Sequence, residues 1–320
     1  MIQRDHHRDE PFVIISLLNW NNYEDTIHCV QSLRKLQYTN YRIIIRDNAS
    51  LNDSYDQLKN SLPELKIYRS QANNGYADGH FQNYQEVKNQ NADLFWILNS
   101  DLKVDPLALT ELVNAYKTKH NAILGSVSLI PGKEDLVDFG GAELTTNSNK
   151  TLTYNSWKNR SYKDLRLKHG DLYEVESVEG SSMLIPRAVI DEFGFLYTDY
   201  FMYGEETDYC YRMRKNGISS FAVTGSIVHH HNQGSFKFSE NLKKVPAYYR
   251  RRNALRFSIE HLGMKKVESL SYLNGTIANL KTILKGVLRS KKDMNYYYAL
   301  ACWHAFLSKK GKTIAPEKFN

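Results

Sequence analysis

The stretch LFWILNSD at residues 94–101 joins a short apolar run to a polar, acidic end. Five large apolar residues in succession predict a strand that is buried on both faces, since a half-exposed strand would alternate apolar and polar residues. Asn99, Ser100 and Asp101 follow the run directly, so we expect Asp101 at the carboxyl end of a buried strand. The Asp-Pro pair at 105–106 then predicts a helix that runs to about Lys119.

The preceding residues repeat the same order of strand, polar loop and helix. Apolar spacing predicts a helix at 23–36, and apolar runs predict strands at 12–18 (FVIISLL), 41–46 (YRIIIR) and 65–68. This repetition predicts an α/β protein with a Rossmann-like, doubly wound and mostly parallel sheet. Because such sheets bind ligands at the carboxyl ends of their strands, we expect one edge to carry the polar clusters 19–22, 47–50 and 99–101.

The second half of the chain is less regular. Residues 131–170 are rich in polar and turn-forming types, which predicts a long excursion over the surface. A strand is predicted at 178–186, a helix at 205–216 closed by Gly217, and a last strand at 220–231 that ends in three histidines. Beyond Pro246 the chain is predicted to be mainly helical.

The composition is that of an ordinary globular protein. The 320 residues are 42% hydrophobic and 24% charged, with a formal net charge of +7. Three cysteines exclude a disulfide framework and indicate a reducing compartment. The start, MIQRDHHRDE, lacks the apolar segment of a signal peptide, and the apolar runs fall short of the roughly 20 residues of a spanning helix. We therefore expect a cytoplasmic protein, not a secreted mini-protein, an integral membrane protein or a fibrous protein.

The charge is distributed unevenly along the chain. Residues 241–320 contain 17 Lys and Arg but only 4 Asp and Glu, a net charge of +13, which leaves −6 for residues 1–240. This asymmetry predicts a mildly acidic α/β domain over 1–240 and a basic, mainly helical C-terminal extension over 241–320.

Three features at the predicted sheet edge could bind a ligand. Asp101 could hold Mg²⁺ or Mn²⁺ that bridges phosphates, or could cap a turn. Asp47 could accept hydrogen bonds from a base or a ribose, or could form an Asx turn. The segment NNGYA at 73–77 opens a helix, and its backbone amides could approach a diphosphate.

Acidic and histidine clusters supply further candidates. Glu205, Glu206 and Asp208 lie at the start of a predicted helix. One of them could be a general base, or all three could simply stabilise the helix through its dipole, whose N-terminal end favours negative charge. The run His229-His230-His231 ends a strand, so at most two of its side chains share a face. One could complete a metal site with Asp101, or the run could be a solvated cluster.

The order of the motifs is more specific than any one of them. It resembles the inverting glycosyltransferases of family 2, which have the GT-A fold, and within them the rhamnosyltransferase-like branch of bacterial surface-polysaccharide synthesis. The resemblance covers roughly residues 11–235 and is carried, in order, by FVIISLLNWNN, RIIIRDNAS, NNGYADG, FWILNSDL, VEGSSMLIPR, FMYGEETDYCYRMRKNG and IVHHH. It implies transfer of a sugar, with inversion, from dTDP-rhamnose or a UDP-sugar to a hydroxyl of a growing glycan.

The resemblance also implies roles for individual residues. It assigns Glu206 as the catalytic base, with Asp208 and Glu205 as alternatives, and it assigns a divalent metal, Mg²⁺ or Mn²⁺, to Asp101 and His230, with His229 as the fallback. The implied nucleotide-binding residues are Asn19, Trp20, Asp47, Asn73, Gly75 and Ser100. Three positions depart from the family pattern: Asn99 replaces the first Asp of the metal motif, Glu206 replaces the usual Asp, and Phe81 replaces an asparagine.

The basic extension suggests a partner besides the nucleotide-sugar donor and the glycan acceptor. The segment YYRRRN at 248–253 suits RNA or lipid headgroups, and residues 270–288 show apolar spacing close to helical with added lysines. Because acceptors in the family are often lipid-linked glycans, we favour peripheral contact with an anionic inner membrane leaflet over helix packing or homo-oligomerisation, and over nucleic acid.

Two other functions fit part of the pattern. A nucleotidyltransferase would share the nucleotide-binding sheet but would normally carry a glycine-rich, basic loop where this chain has NWNN at 19–22. A catalytically inactive glycan-binding or scaffold protein on the same fold would be compatible with Asn99 and Glu206.

Overall fold

A ten-stranded sheet forms the centre of the computed structural model, which describes residues 10–146, 152–230, 242–272, 275–288 and 292–319. The strands are β1 (Val13–Asn19), β2 (Tyr41–Asp47), β3 (Lys66–Arg69), β4 (Leu94–Asn99), β5 (Leu102–Val104), β6 (Ile123–Ile130), β7 (Lys133–Phe139), β8 (Glu143–Thr146), β9 (Leu152–Asn155), β10 (Leu172–Val175), β11 (Ser182–Pro186) and β12 (Ser220–His230). The spatial order in the large sheet is β10-β12-β6-β11-β4-β1-β2-β3, with β5 paired to β12 and β7 paired to β6. The helices are α1 (Tyr23–Leu33), α2 (Ser54–Ser61), α3 (Tyr76–Val87), α4 (Ala108–Thr118), α5 (Tyr162–His169), α6 (Arg187–Phe193), α7 (Glu205–Lys215), α8 (Lys244–His261), α9 (Lys266–Leu270), α10 (Thr276–Leu288) and α11 (Met294–Phe306).

The first four strands form the parallel half of the sheet, as predicted. β1 pairs in parallel with β2 and with β4, and β2 pairs in parallel with β3. The register sets Asn19 opposite Asp47 at the carboxyl ends of β1 and β2, and Leu18 opposite Asn99 of β4. The shared edge that the sequence predicts for these polar clusters is therefore confirmed.

Strand β4 is buried on both faces, also as predicted. Trp96 and Leu98 pack with α1 and α4 on one side of the sheet, whereas Ile97 packs with α3, α6 and α7 on the other. Each such side chain contributes roughly 1.5–3 kcal/mol when it is removed from water. This burial fixes the end of β4, and with it Asp101, relative to the rest of the edge.

Four expectations about the other elements were wrong in detail. The strand predicted at 178–186 is shorter in the structure: it is β11, which begins at Ser182 and runs antiparallel to β4 and β6. Strand β6 was not predicted. The segment 131–170 is not a loop throughout: it forms β7, β8, β9 and α5, and Val137 and Leu165 are fully buried. Asp105 does not cap α4 itself; its carboxylate accepts from the Leu107 amide, one residue before the helix.

The C-terminal extension packs on the sheet domain through α8. The Ser258 hydroxyl on α8 accepts from the Leu152 amide of β9 at 3.2 Å, and α11 packs along α8. The predicted domain boundary at 240/241 and His231 lie outside the described residues, so the two-domain division stays a prediction. None of the helices in the described ranges has the length and apolar character to cross a membrane.

The segment YYRRRN is largely internal, contrary to the expectation that it presents aromatics and arginines to a partner. Tyr248, Tyr249, Arg252 and Asn253 are all buried. The Arg252 guanidinium donates to the carbonyls of Tyr200 and Gly311, which leaves it no freedom to stack on RNA or to contact lipid. We conclude that these residues hold the extension to the segment around Tyr200 that precedes α7.

Candidate active site

Asn19 and Asp47 meet at the carboxyl edge of the sheet, and both are fully buried. The Asn19 amide donates to Asp47 Oδ1 at 2.8 Å, and the second Asp47 oxygen accepts from the Ser50 amide at 3.0 Å and lies 3.6 Å from Arg69 Nε. Trp20, half-buried, follows Asn19 directly. The strand register thus places Asn19 and Asp47, which are 28 positions apart in sequence, in one buried hydrogen-bonded cluster.

The glycine turn at the start of α3 lies against a second loop. The Asn73 side-chain oxygen accepts from the Gly75 amide at 3.0 Å and from the Asn48 side chain at 3.2 Å, which fixes the turn. Gly75 has φ +106°, and a Cβ placed there would lie 2.2 Å from the Phe201 carbonyl oxygen. Only glycine permits this contact, so Gly75 joins the carboxyl edge of the sheet to the loop that precedes α7.

Four carboxylates surround the phenol of Tyr76. Its hydroxyl donates to the Gly180 carbonyl at 2.7 Å. Burial raises its pKa well above the usual value, and the charges of Glu205, Glu206, Asp101 and Glu179 raise it further. The predicted metal residue, Asp101, and the predicted base residues at the start of α7 therefore all act on one phenol, that of Tyr76.

Asp101, Glu179 and His230 are the residues of this region whose chemistry suits a metal, although their ligand atoms do not all lie within 4.8 Å of one another in this structure. Burial raises the pKa of Asp101 and of Glu179, and the His230 imidazole opposes both rises. Glu179 Oε2 is buried and accepts no hydrogen bond from the described residues. Carboxylate oxygens and an imidazole nitrogen suit Mg²⁺ or Mn²⁺, and an orphaned buried acceptor fits a site that a cation completes. Ser100 lies half-buried in the same turn.

The two described histidines at the end of β12 point to opposite sides, as strand alternation requires. His230 Nδ1 lies 3.4 Å from Ser128 Oγ and 4.0 Å from Asp138 Oδ2. The same imidazole opposes the rise in the pKa of Asp101 and of Glu179. Burial lowers the pKa of His229, and the charge of Lys103 lowers it further. His229 therefore lies in a different environment from His230. The geometry favours His230 over the fallback His229.

A second acidic cluster is not a metal site. Within the described ranges, the one group of three potential ligands whose atoms all lie within 4.8 Å of one another is Asp208, Glu260 and His261. Arg212 donates to Asp208 at 2.7 Å, and Arg256 donates to Glu260 at 2.8 Å. These guanidinium groups already supply the positive charge that a cation would bring.

The three carboxylates of α7 occupy different environments. Both Asp208 oxygens are engaged, by Tyr200, His261 and Arg212. Burial acts to raise the pKa of Asp208, but the hydrogen bonds from His261 and Arg212 outweigh it and hold that pKa below its usual value. Burial and then the charge of Glu206 raise the pKa of Glu205 well above its usual range, and Glu205 Oε2 accepts no hydrogen bond from the described residues.

Glu206 differs from both neighbours. Its Oε2 accepts from the Gly204 amide at 3.1 Å, and its side chain lies against Gly180, where an added Cβ would be 3.3 Å from the Glu206 Cβ. Burial raises its pKa, and the backbone hydrogen bonds oppose the rise. Glu206 is thus a carboxylate whose raised pKa is limited by backbone hydrogen bonds, unlike the fully paired Asp208.

Asn253 of the C-terminal extension holds the loop before α7. Its side-chain amide lies within hydrogen-bond distance of the carbonyls of Tyr200, Met202 and Tyr203, at 2.7–3.1 Å. Phe201 and Tyr203 in this loop have positive φ, a conformation that needs such support. The basic extension therefore positions the start of α7, a role that its composition did not indicate.

A family model described as glycosyl transferase family 2 matches residues 13–192, more than half of the chain. The chain belongs to glycosyltransferase family 2. A curated relative, the low-salt glycan biosynthesis hexosyltransferase Agl10 of Haloferax volcanii, is 22% identical over 210 residues, which cover 64% of this chain and 62% of that protein.

Solved structures share the fold of this family 2 chain. GalNAc-T7 with UDP, GalNAc and Mn²⁺ matches with a TM-score of 0.56 at 16% identity, over 93% of this chain and 57% of that one. The mannosyltransferase PcManGT from Pyrobaculum calidifontis, with GDP-Man and Mn²⁺, matches with a TM-score of 0.55 at 9% identity, over 94% and 88%. The chain thus spans less than two thirds of Agl10 and of GalNAc-T7, and the likeness to solved structures confirms the GT-A fold.

Proposed function

We propose that the chain is an inverting, divalent-metal-dependent glycosyltransferase that moves a sugar from a nucleoside-diphosphate donor to a hydroxyl of a growing glycan. The observation that carries this proposal is the difference between the α7 carboxylates: both Asp208 oxygens are paired, whereas Glu206 interacts electrostatically with Glu179, and Glu179 and Asp101 interact with His230. Family membership supports the class of reaction. dTDP-rhamnose or a UDP-sugar is the proposed donor, and a bacterial surface polysaccharide made on the cytoplasmic side is the proposed product.

Glu206 is the base in this mechanism. It accepts the proton of the attacking acceptor hydroxyl, and the Gly204 amide at its Oε2 holds the carboxylate in place. Burial and then the Glu206 charge disfavour the ionised form of the neighbouring Glu205 and raise its pKa well above the usual range. One base and one displacement invert the anomeric carbon, so no second carboxylate is required at the sugar, unlike in a retaining glycosidase.

Asp101 and His230 would hold the metal, with Glu179 next to them. Bound there, Mg²⁺ or Mn²⁺ would neutralise the negative charge of the departing diphosphate. Contact with the nucleotide is assigned to Asn19, Trp20, Asp47, Asn73, Gly75 and Ser100. Asn19 and Asp47 shape the base pocket as a pair, because the Asp47 oxygens are already hydrogen-bonded inside the protein.

Nucleotide binding tests the proposal. The melting temperature is measured with UDP, dTDP, GDP and CMP, each with and without Mn²⁺, because a ligand that binds the folded state raises it by mass action. We expect a metal-dependent rise with UDP or dTDP, and loss of the metal dependence in Asp101→Ala. The exposed Asp171→Ala is the matched control and should behave as wild type.

Two outcomes would contradict this prediction. A rise that is the same with and without Mn²⁺, in wild type and in Asp101→Ala, would remove Asp101 from a metal site. No rise with any nucleotide would favour the inactive glycan-binding scaffold. In a separate assay, release of pyrophosphate from a nucleoside triphosphate would identify a nucleotidyltransferase.

The pH dependence of transfer reports on the base. Protonated Glu206 cannot accept a proton, and burial raises its pKa above the usual 4.5, so we expect kcat to fall with decreasing pH through a midpoint above 4.5. Protonating Glu205 and Glu206 at their raised pKa values stabilises the folded state, so these two groups do not cause acid unfolding in that range. A kcat profile that stays flat down to pH 4.5, with circular dichroism unchanged, would contradict the assignment.

A further inference from the structure

Helix α10 packs on the protein through a narrow side that contains Asn279, Gly286 and the partly buried Ile283. Gly286 and Asn279 are its two buried residues. A Cβ at Gly286 would lie 2.2 Å from the Tyr296 ring of α11, so the two helices are in close contact at that point. Asn279 donates to the Leu270 carbonyl at 2.8 Å. An amphipathic helix of a globular protein normally buries its apolar side instead.

The large apolar residues of α10 point outward. Five of them are exposed: Ile277 (70%), Leu280 (42%), Leu284 (58%), Val287 (57%) and Leu288 (73%). At about 100° per residue, these positions fall within one arc of roughly 100° along the helix. In the part of the chain that the structure describes, nothing covers this stripe. A continuous apolar face of this kind marks a contact surface rather than a solvated one.

The positive charge beside the apolar stripe of α10 indicates which kind of partner this face binds. Lys281 and Lys285 are exposed beside the apolar stripe, and α10 contains no acidic residue. Two further exposed lysines, Lys265 and Lys266, lie at the start of the neighbouring helix α9. The extension as a whole carries a net charge of +13. A second copy of the chain would bring like charges to this face, whereas anionic phosphate headgroups are complementary to it.

We propose that the outward face of α10 docks on the surface of an anionic lipid bilayer. The helix lies in the plane of the interface, its five apolar side chains enter the headgroup boundary, and Lys281 and Lys285 contact the phosphates. With 13 residues, α10 is about 20 Å long, which suits lying on a bilayer and not crossing it. This inference rests on exposure and charge in the extension and does not depend on the transferase assignment.

Vesicle co-sedimentation of the full chain tests the proposal. The vesicles are pure phosphatidylcholine, or phosphatidylcholine with about one third phosphatidylglycerol, at about 50 mM and about 500 mM salt. We expect binding to the anionic vesicles at low salt and much weaker binding in the other conditions. Both Leu284→Ser/Leu288→Ser and Lys281→Glu/Lys285→Glu should reduce the partition coefficient by about tenfold or more.

A matched variant controls for general loss of apolar surface. Leu51→Ser/Leu167→Ser removes two leucines that are 62% and 75% exposed in the sheet domain and should bind vesicles as wild type does. All variants change exposed side chains, and their circular dichroism and melting temperature verify the fold. Failure of the wild type to bind anionic vesicles, or equal losses in the test and control variants, would overturn the proposal. A dimer that Leu284→Ser/Leu288→Ser dissociates, without vesicle binding, would assign the face to a second copy.

Discussion

Replacing Glu206 with Gln is expected to lower the turnover of sugar transfer by about 10²–10⁴-fold, the usual contribution of a general base. The amide keeps the size of the side chain but cannot accept the proton of the acceptor hydroxyl. Nucleoside-diphosphate affinity, measured by calorimetry with Mn²⁺, should stay within about threefold of wild type, because Glu206 makes no contact with the nucleotide in this mechanism. The loss therefore appears in kcat and not in donor binding.

Glu205→Gln is the matched comparison for Glu206→Gln. It removes a carboxyl group from the adjacent position of the same helix, where burial and then the charge of Glu206 raise the pKa well above the usual range. We expect a loss of turnover that is at least tenfold smaller than for Glu206→Gln. The assignment is wrong if Glu206→Gln retains most of its turnover, or if Glu205→Gln is the more damaged variant.

Gly75→Ala is expected to lower both stability and activity. The added Cβ would lie 2.2 Å from the Phe201 carbonyl oxygen, and a φ of +106° is itself strained for alanine. Phe201 must move to relieve the contact, and this displaces the loop that leads to Glu206. We expect a loss of about 2–4 kcal/mol in the free energy of unfolding, measured in urea, together with at least a tenfold fall in kcat/KM.

Gly170→Ala separates the effect of backbone strain from the effect of the contact with Phe201. Gly170 also has a positive φ, +70°, but an added Cβ there would meet no heavy atom within 4 Å. It should cost only the backbone strain, about 1–3 kcal/mol, and leave kcat/KM unchanged. Equal losses of stability in the two variants, with full activity in Gly75→Ala, would contradict the role of the contact between Gly75 and Phe201.

The part of the fold that could be predicted from the sequence is the part with the simplest burial pattern. β1, β2 and β4 are continuous apolar runs, and the polar residues directly after them had to meet at one edge. β6 was missed because Ser126 and Ser128 interrupt its apolar run. Ser126 is buried, and its hydroxyl lies 2.7 Å from those of Ser182 and Ser226, a pairing that depends on two distant strands.

The site was predicted from local motifs and missed where it depends on tertiary contacts. Alternation along β12 already required His229 and His230 to separate, although only the structure shows which of them faces Asp101. Glu179 was included in a predicted strand and received no role, and its position beside Asp101 follows from β11 running antiparallel to β4. Asn253 was interpreted as part of a basic surface, and its contacts with the loop before α7 lie about 50 residues away in sequence.

The most direct test of the central claim is the release of nucleoside diphosphate from UDP-, dTDP- and GDP-sugars by the purified protein with Mn²⁺. The account predicts release from a UDP- or dTDP-sugar that is slow in water alone and faster with a glycan acceptor. Release should stop when the metal is chelated, and it should fall by about 10²–10⁴-fold in Glu206→Gln. Release that survives both chelation and Glu206→Gln, or no release from any donor while the nucleotide still binds, would contradict it.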